Sequence, residues 1–349
     1  MGGAVARPTA EDVARVLHRV AFLLERAQAS PYRCAAYRTA GDVVGRLPDD
    51  VWVARVRGGG WQDLAGIGTS TARVIATVLG GAVPPVLAEL EDDLASRLAG
   101  STEAGRALRG ALRGDLHSHT DASDGARPLA DMALASVQIG HEYLAVTDHS
   151  PRLTVANGLS PDRLRAQMAA IDGMNEVLAP FRLLRGIEVD IVDDGRLDGE
   201  PELLGALDVV VASVHSKLAM ERAAMTRRMV TAIAGPATDV LGHCTGRRLL
   251  GSVRPPSEFD ADAVFAACAE HGVAVEVNSR PDRRDPPHEL LSVAVEAGCL
   301  FAVDSDAHAP GQLDWLLDGC DRLAAHGVGP ERVVNTWPVD RLLSWASRR

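Results

Sequence analysis

Histidines and carboxylates carry the first sign of chemistry in this chain of 349 residues. Of its eleven histidines, six directly follow short apolar runs. His117 and His119 lie in Asp115-Leu-His-Ser-His, His149 closes Ala145-Val-Thr-Asp-His, and His215 closes Val211-Ala-Ser-Val-His. His243 closes Val240-Leu-Gly-His, and His308 closes the run that begins at Ala302. The other five (His18, His141, His271, His288 and His326) sit in or beside helical patterns and need no special role. Three carboxylates occupy equivalent places: Glu188 closes Leu183-Leu-Arg-Gly-Ile-Glu, Asp306 precedes His308, and Asp124 lies five residues after His119. Imidazole nitrogen converging with carboxylate oxygen suits Zn²⁺, Mn²⁺ or Fe. Nine such side chains exceed the needs of one tetrahedral ion and match two to three divalent cations.

For these residues to meet, the elements that carry them must end at one rim. From Asp115 onward, short apolar runs alternate with helix-period segments, which predicts βα units and a parallel sheet. Seven strands are expected, ending near His117, Thr147, Glu188, Val214, Gly242, Asn278 and Asp304. Helical patterns fall between them at Leu129–Ile139, Pro161–Leu178, Lys217–Ala234, Glu258–His271, His288–Ala297 and Gln312–Ala325. Seven units over residues 115–349 predict a TIM-like barrel one unit short, with its chemistry at the C-terminal ends of the strands. Residues 1–95 read as a separate helical domain, and residues 96–114 as a linker with some helix. Within the first, Ala10–Ala29 and Tyr32–Val44 are helical, and Leu64-Ala-Gly-Ile-Gly-Thr-Ser leads into another helix. That last segment predicts a helix-hairpin-helix, in which Gly66, Ile67, Gly68 and Thr69 bring backbone N–H groups close to a DNA phosphate.

Composition narrows the options. Net charge is −11, against bulk electrostatic binding of nucleic acid, but residues 1–88 hold ten Arg against seven acids. Arg33, Arg38, Arg46, Arg55, Arg57 and Arg73, with Tyr32, Tyr37 and Trp61, are candidates to track a DNA backbone and stack bases. Lys217 is the only lysine, so the N-terminal part has no amine for Schiff-base chemistry. Five scattered cysteines form no disulfide framework, no apolar run is long enough to span a bilayer, and Met1–Val13 has no apolar core of a signal peptide. A cytoplasmic protein is the expectation.

Residues 115–308 resemble the PHP (polymerase and histidinol phosphatase) superfamily through Asp115-Leu-His-Ser-His, Ser123-Asp-Gly, Ala145-Val-Thr-Asp-His, Gly186-Ile-Glu-Val-Asp, Ser213-Val-His-Ser, Leu241-Gly-His, Glu276-Val-Asn and Asp304-Ser-Asp-Ala-His. Thr245-Gly-Arg and Glu276-Val-Asn-Ser resemble most the C-terminal PHP domain of bacterial family X DNA polymerases. Ser30-Pro-Tyr-Arg-Cys-Ala-Ala-Tyr-Arg, Leu47-Pro-Asp-Asp and Leu64-Ala-Gly-Ile-Gly are similar to the polymerase-beta-like small domain of the same proteins. The polymerase palm is missing, since about twenty residues separate the two parts. Gly251-Ser252 with Asp260 and Asp262 imitates a polymerase signature but opens a helix inside the barrel. Cys244 stands where relatives commonly carry proline, and reads as a small buried hydrophobe.

The resemblance implies three cations: one on His117, His119, Glu188 and Asp306, one on bridging Glu188 with His215 and His243, and one on Asp124, His149 and His308. It implies hydrolysis of phosphate esters by metal-bound hydroxide, with Glu188, Asp306 and Lys217 in catalytic roles and Lys217, Arg280 and Arg283 contacting phosphate. DNA 3′ ends are the expected substrate, by exonuclease or phosphatase action in repair. A small-molecule phosphomonoesterase of histidinol-phosphatase type is the alternative, and a non-catalytic metal-stabilised DNA-binding scaffold is the third reading.

Overall fold

A computed structural model describes residues 7–347. Residues 1–6, within the stretch read as no signal peptide, lie outside the described residues. The chain divides into two compact units, one ending at Gly100 and the other beginning at Ser101.

The first unit holds α1 (Ala10–Arg26), α2 (Pro31–Gly45), α3 (Asp49–Gly58), α4 (Thr69–Leu79) and α5 (Pro85–Gly100). Thr9 caps α1 and exchanges hydrogen bonds with Asp12, while Val13, Leu17, Val20 and Leu24 form its buried stripe. They pack with Tyr37, Val44, Trp61, Ile67 and Ile75 in a core belonging to this unit alone. Gly66 adopts a left-handed φ of 91°, and a Cβ there would meet Thr39 Cγ2 at 2.8 Å. Gly68 is extended, with open space around the position of a Cβ.

The second unit is built from β1 (Gly114–Asp115), β2 (Tyr143–Val146), β3 (Arg182–Asp190), β4 (Val209–Ser213), β5 (Val240–Leu241), β6 (Ala274–Asn278) and β7 (Phe301–Asp304). All neighbouring pairs are parallel and run in chain order. The helices are α6 (Glu103–Ala111), α7 (Leu129–Gln138), α8 (Pro161–Leu178), α9 (Pro201–Leu204), α10 (Arg222–Ala234), α11 (Ala261–His271), α12 (His288–Glu296), α13 (Leu316–Ala325) and α14 (Val339–Ala346). This is a distorted seven-unit (β/α) barrel of the TIM type. The boundary at Gly100 falls inside the stretch read as linker. Helix α6 is capped by Thr102, whose N–H and hydroxyl both donate to Asp321, and it packs on α13.

β1 and β7 share no regular ladder, and side chains close that seam. The Asp304 carboxylate accepts from the Leu116 N–H at 2.9 Å, and Asp115 accepts from the Ser305 hydroxyl. Buried Asn335 donates to Val303 O and Asp304 Oδ1, and accepts from the Val303 N–H at 2.7 Å. Above the seam, the His119 N–H reaches Ala307 O at 2.8 Å.

The barrel interior is layered. Tyr143, Ala145, Leu184, Val209, Val211, Ala274 and Ala302 make an apolar layer packed against Leu342 and Trp345 of α14. Because alternate strand residues share a face, two-residue steps lead upward from this layer: Val209-Val211-Ser213-His215, Leu184-Gly186-Glu188-Asp190, Ala274-Glu276-Asn278 and Ala302-Asp304-Asp306. The apolar floor therefore gives way to ionisable groups at one mouth.

Candidate metal centre

Glu188 stands at the centre of that mouth, with five imidazoles around its carboxylate. Its Oε2 is 3.3 Å from His117 Nε2, 3.5 Å from His119 Nε2 and 2.9 Å from His149 Nδ1. Its Oε1 is 3.2 Å from His215 Nε2 and 2.8 Å from His243 Nε2. Asp306 Oδ1 lies 3.5 Å from His119 Nε2, and Asp124 Oδ1 lies 3.5 Å from Nε2 of both His149 and His308. Ligand atoms gather within 4.8 Å in four overlapping groups: His117–His119–Asp306, His117–Glu188–His243, His149–Glu188–His215 and His119–Asp124–His149–His308. The structure thus brings together all nine ligand candidates read from the sequence.

These side chains fit cations for a reason independent of their count. His117 Nε2, both ring nitrogens of His119, His149 Nδ1, His215 Nε2 and His243 Nδ1 are buried without a hydrogen-bond partner. A buried polar atom left unsatisfied costs about 1–3 kcal/mol, and the four of these that face Glu188, on His117, His119, His149 and His215, would weigh on the fold unless a ligand used them. A mixed nitrogen and oxygen donor set is what Zn²⁺, Mn²⁺ or Fe accepts.

A second layer orients the rings, and most of it was not assigned from the sequence. Glu276 Oε1 lies 2.6 Å from His117 Nδ1, and its other oxygen accepts from the His243 N–H. Asp190 Oδ1 lies 2.5 Å from His215 Nδ1. His308 Nδ1 is 2.9 Å from Asp306 O. The carboxylate partners of His117 and His215 place the proton on Nδ1 and leave Nε2 facing the bowl, whereas His308 Nδ1 also lies 3.1 Å from Arg280 Nη1, a donor. Asn278 Nδ2 bridges Glu276 and Asp306 at 3.2 Å each. Asp148 accepts from the Thr120 N–H at 2.8 Å and from the Thr120, Ser123 and Gln167 side chains, fixing the loop that carries Asp124. Asp190 had a readable signal, two residues past Glu188 on the same strand face. Glu276 had only the motif Glu276-Val-Asn, which named no role.

Electrostatics follow the same layout. Burial disfavours the Glu188 carboxylate, but His215, His117 and His149 outweigh it and hold the pKa well below the usual carboxylate value. Burial also opposes charge on Asp306, and Arg280 and Arg283 reverse that effect. His119 is driven well below an ordinary imidazole by burial, then by His308 and His149, which keeps its ring neutral and able to donate lone pairs. For His215, burial lowers the pKa, yet Glu188 and Asp190 raise it to about 9.

The remaining candidates are placed differently. Arg283 Nε lies 3.0 Å from Asp306 Oδ2, and Arg280 Nη1 lies 3.5 Å from Asp306 Oδ1. Arg283 is buried, and its Nη1 has no hydrogen-bond partner. Lys217 sits at the rim with its side chain 64% exposed, and its ammonium pairs with Asp193. Cys244 is buried with its sulfur 3.7 Å from Asp285, outside the four ligand groups, and burial pushes its thiol pKa well up. Asp260 caps α11 by accepting from the Ala263 N–H, so the aspartates of the decoy open a helix, while Gly251-Ser252 lies in a separate turn ahead of it. In the first unit, Arg33, Gly68 and Thr69 line a concavity of about 450 Å³ with Tyr37, Ser70 and Thr71. Ile67 is buried in that unit's core, and Arg73 is exposed. Arg38, read from the sequence as a DNA contact, is buried and ion-paired with Glu25.

Comparison with known proteins finds a family and several relatives. Residues 115–297 match the PHP domain family. The chain is 39% identical over 226 residues to DNA polymerase/3′-5′ exonuclease PolX of Bacillus subtilis, a match covering 65% of this chain and 39% of that protein. It is 30% identical over 246 residues to the Probable phosphatase YcdX of Escherichia coli K12, covering 67% of this chain and 94% of that one. A crystal structure of histidinol phosphate phosphatase from Lactococcus lactis, complexed with zinc, L-histidinol and phosphate, superposes with a TM-score of 0.45 at 15% identity, over 62% of this chain and 95% of that chain.

Proposed function

Because the chain belongs to the PHP domain family, we propose that it is a metal-dependent phosphoesterase whose substrates are DNA 3′ ends, acting as a 3′-5′ exonuclease or 3′-phosphatase. The observation that carries the chemistry is Glu188 ringed by five imidazoles, several of whose buried nitrogens lie close to its carboxylate yet make no directed hydrogen bond. His117, His119, Glu188 and Asp306 would hold one cation, Glu188, His215 and His243 a second, and Asp124, His149 and His308 a third. When bound, manganese or zinc (iron is the other choice) supplies Lewis acidity, which lowers the pKa of water and neutralises charge on phosphoryl oxygens. Glu276 and Asp190 hold the imidazoles of His117 and His215 in the tautomer that presents Nε2 to the bowl. Arg283, with a buried and unpartnered Nη1, and Arg280 beside it bind the phosphate oxygens. Lys217, held by Asp193 at the rim, takes an outer place in phosphate contact.

DNA is favoured by the likeness to a polymerase and exonuclease and by the first unit, where Gly68 and Thr69 open α4 beside Arg33. The likeness to YcdX over nearly all of that protein favours a second reading, a small phosphomonoesterase. One purified sample with Mn²⁺ or Zn²⁺, offered single-stranded DNA, 3′-phosphorylated DNA and histidinol phosphate, separates the two. Turnover of either DNA supports the first reading. Turnover of histidinol phosphate alone supports the second.

A further inference from the structure

The centre is deep. Side chains of His117, His119, Glu188 and His243 are 0–1% exposed, whereas Asp124 and His308 at the rim are 35% and 19% exposed. A 3′-terminal nucleotide that is still paired and stacked in a duplex is poorly placed to bring its phosphate to groups buried this far. It must first leave its partner, which costs a few kcal/mol.

Beside the mouth stands a short hairpin that the chemistry above does not use. Arg248 and Arg254 pair through both backbone hydrogen bonds, at 2.9 and 3.0 Å, and Gly251 turns the tip with a φ of 70°. The tip carries Leu249, Leu250 and Val253, which are 43%, 53% and 73% exposed. Single exposed apolar side chains are ordinary, but three on one loop tip beside a highly polar site mark a contact surface. The hairpin is also fixed in place. The Leu249 N–H donates to Asp282 O at 2.7 Å, Arg280 Nε donates to Asp282 Oδ1 at 2.9 Å, and Arg247 Nε donates to Arg283 O at 3.0 Å. The apolar tip is thus anchored on the segment that carries both phosphate-contact arginines.

We propose that Leu249, Leu250 and Val253 form a wedge that packs against the terminal base pair of duplex DNA and unpairs the 3′ nucleotide so that it can descend to the metal centre. Aliphatic side chains set against a base step are an established means of unstacking DNA. The occupant is a base-paired end rather than a protein because Arg248 and Arg254 flank the tip and the hairpin is hydrogen-bonded to the segment carrying Arg280 and Arg283, the arginines placed above on phosphate. The inference rests on the DNA reading of the site.

Its test compares the wild type with the triple variant Leu249→Ser, Leu250→Ser, Val253→Ser, which adds no charge. Both are assayed with Mn²⁺ on a blunt duplex, on the same strand unpaired, and on p-nitrophenyl phosphate. The expected result is a loss of about tenfold on the duplex, with single-strand and small-ester rates within about twofold of wild type. An unchanged ratio of duplex to single-strand rates overturns the wedge, as does a wild type that digests single strands but no duplex. A wild type that hydrolyses p-nitrophenyl phosphate and neither DNA overturns the DNA reading itself, and the wedge with it.

Discussion

Glu276 is the residue on which the geometry of two ligands turns, because one oxygen meets His117 Nδ1 and the other accepts from the backbone of His243. Glu276→Gln keeps the shape but removes the charge and one acceptor. Loss of such an outer partner typically costs 10- to 100-fold in metal affinity, so the variant should lose metal to a competing chelator at correspondingly lower concentration while its circular dichroism is unchanged. Arg283→Ala should reduce kcat/KM for any phosphate ester far more than Lys217→Ala, since Arg283 lies against Asp306 and Lys217 pairs with Asp193 at the rim. Comparable losses would restore Lys217 to the centre. His141 tests the pH dependence of the fold. Burial, with Arg109 nearby, lowers its pKa to about 3. The unfolded chain takes up its proton near pH 6.5 and the folded chain does not, so stability falls as pH drops below that value, by about 1.4 kcal/mol per unit down to about pH 3. The melting temperature of His141→Asn should therefore change less than that of wild type between pH 7.5 and 5.5. Eight of the nine ligand candidates were legible because they sit at or just past apolar runs that read as strands, and Asp124 through the motif Ser123-Asp-Gly in the loop after His119. Glu276 was not, because a carboxylate on the inner face of a strand leaves the same trace as one facing solvent. Arg38 shows the converse, since composition counts an arginine as surface charge and does not reveal the buried Glu25 that pairs with it.

The strands and helices were legible in number and order but less so at their ends. β1 and β5 contain two residues each, too short for alternation to set limits. The helix read from Lys217 begins at Arg222, because Lys217 has a left-handed φ of 53° and Glu221 caps the first turn. The helix expected somewhere in the linker is α6, but that it packs on α13 and so belongs to the second unit could not be read from the sequence. The role of Asn335 in closing the barrel is likewise invisible in sequence, since its partners are 31 or more residues away. Asn335→Ala should destabilise the barrel by about 3 kcal/mol, read in urea, because it leaves several buried groups without partners. The two glycines of the expected hairpin, treated alike in the sequence, separate in the structure. Gly66→Val should destabilise the first unit, through its left-handed φ and the close approach of Thr39. Gly68→Glu should leave the melting temperature unchanged, since its surroundings are open, and should weaken DNA binding by placing a carboxylate at the start of α4. Unchanged DNA affinity in Gly68→Glu would reduce that turn to a structural role.

At the scale of the whole molecule, a net charge of −11 and a bowl lined with carboxylates would repel a polyanion. Bound cations reverse that local field, whereas the first unit, with eleven arginines against eleven acids up to Gly100, is neutral as a whole and can attract a polyanion only through its local arginine cluster. Among the described residues, no helix is long and apolar enough to cross a membrane. The central claim is that Glu188 and the eight side chains gathered with it hold cations, and elemental analysis of the purified chain beside Glu188→Gln tests it most directly. Two to three equivalents of transition metal per wild-type chain, falling below one in the variant, is the expected result. A wild type that is folded, hydrolyses a phosphate ester and carries less than one equivalent would contradict it.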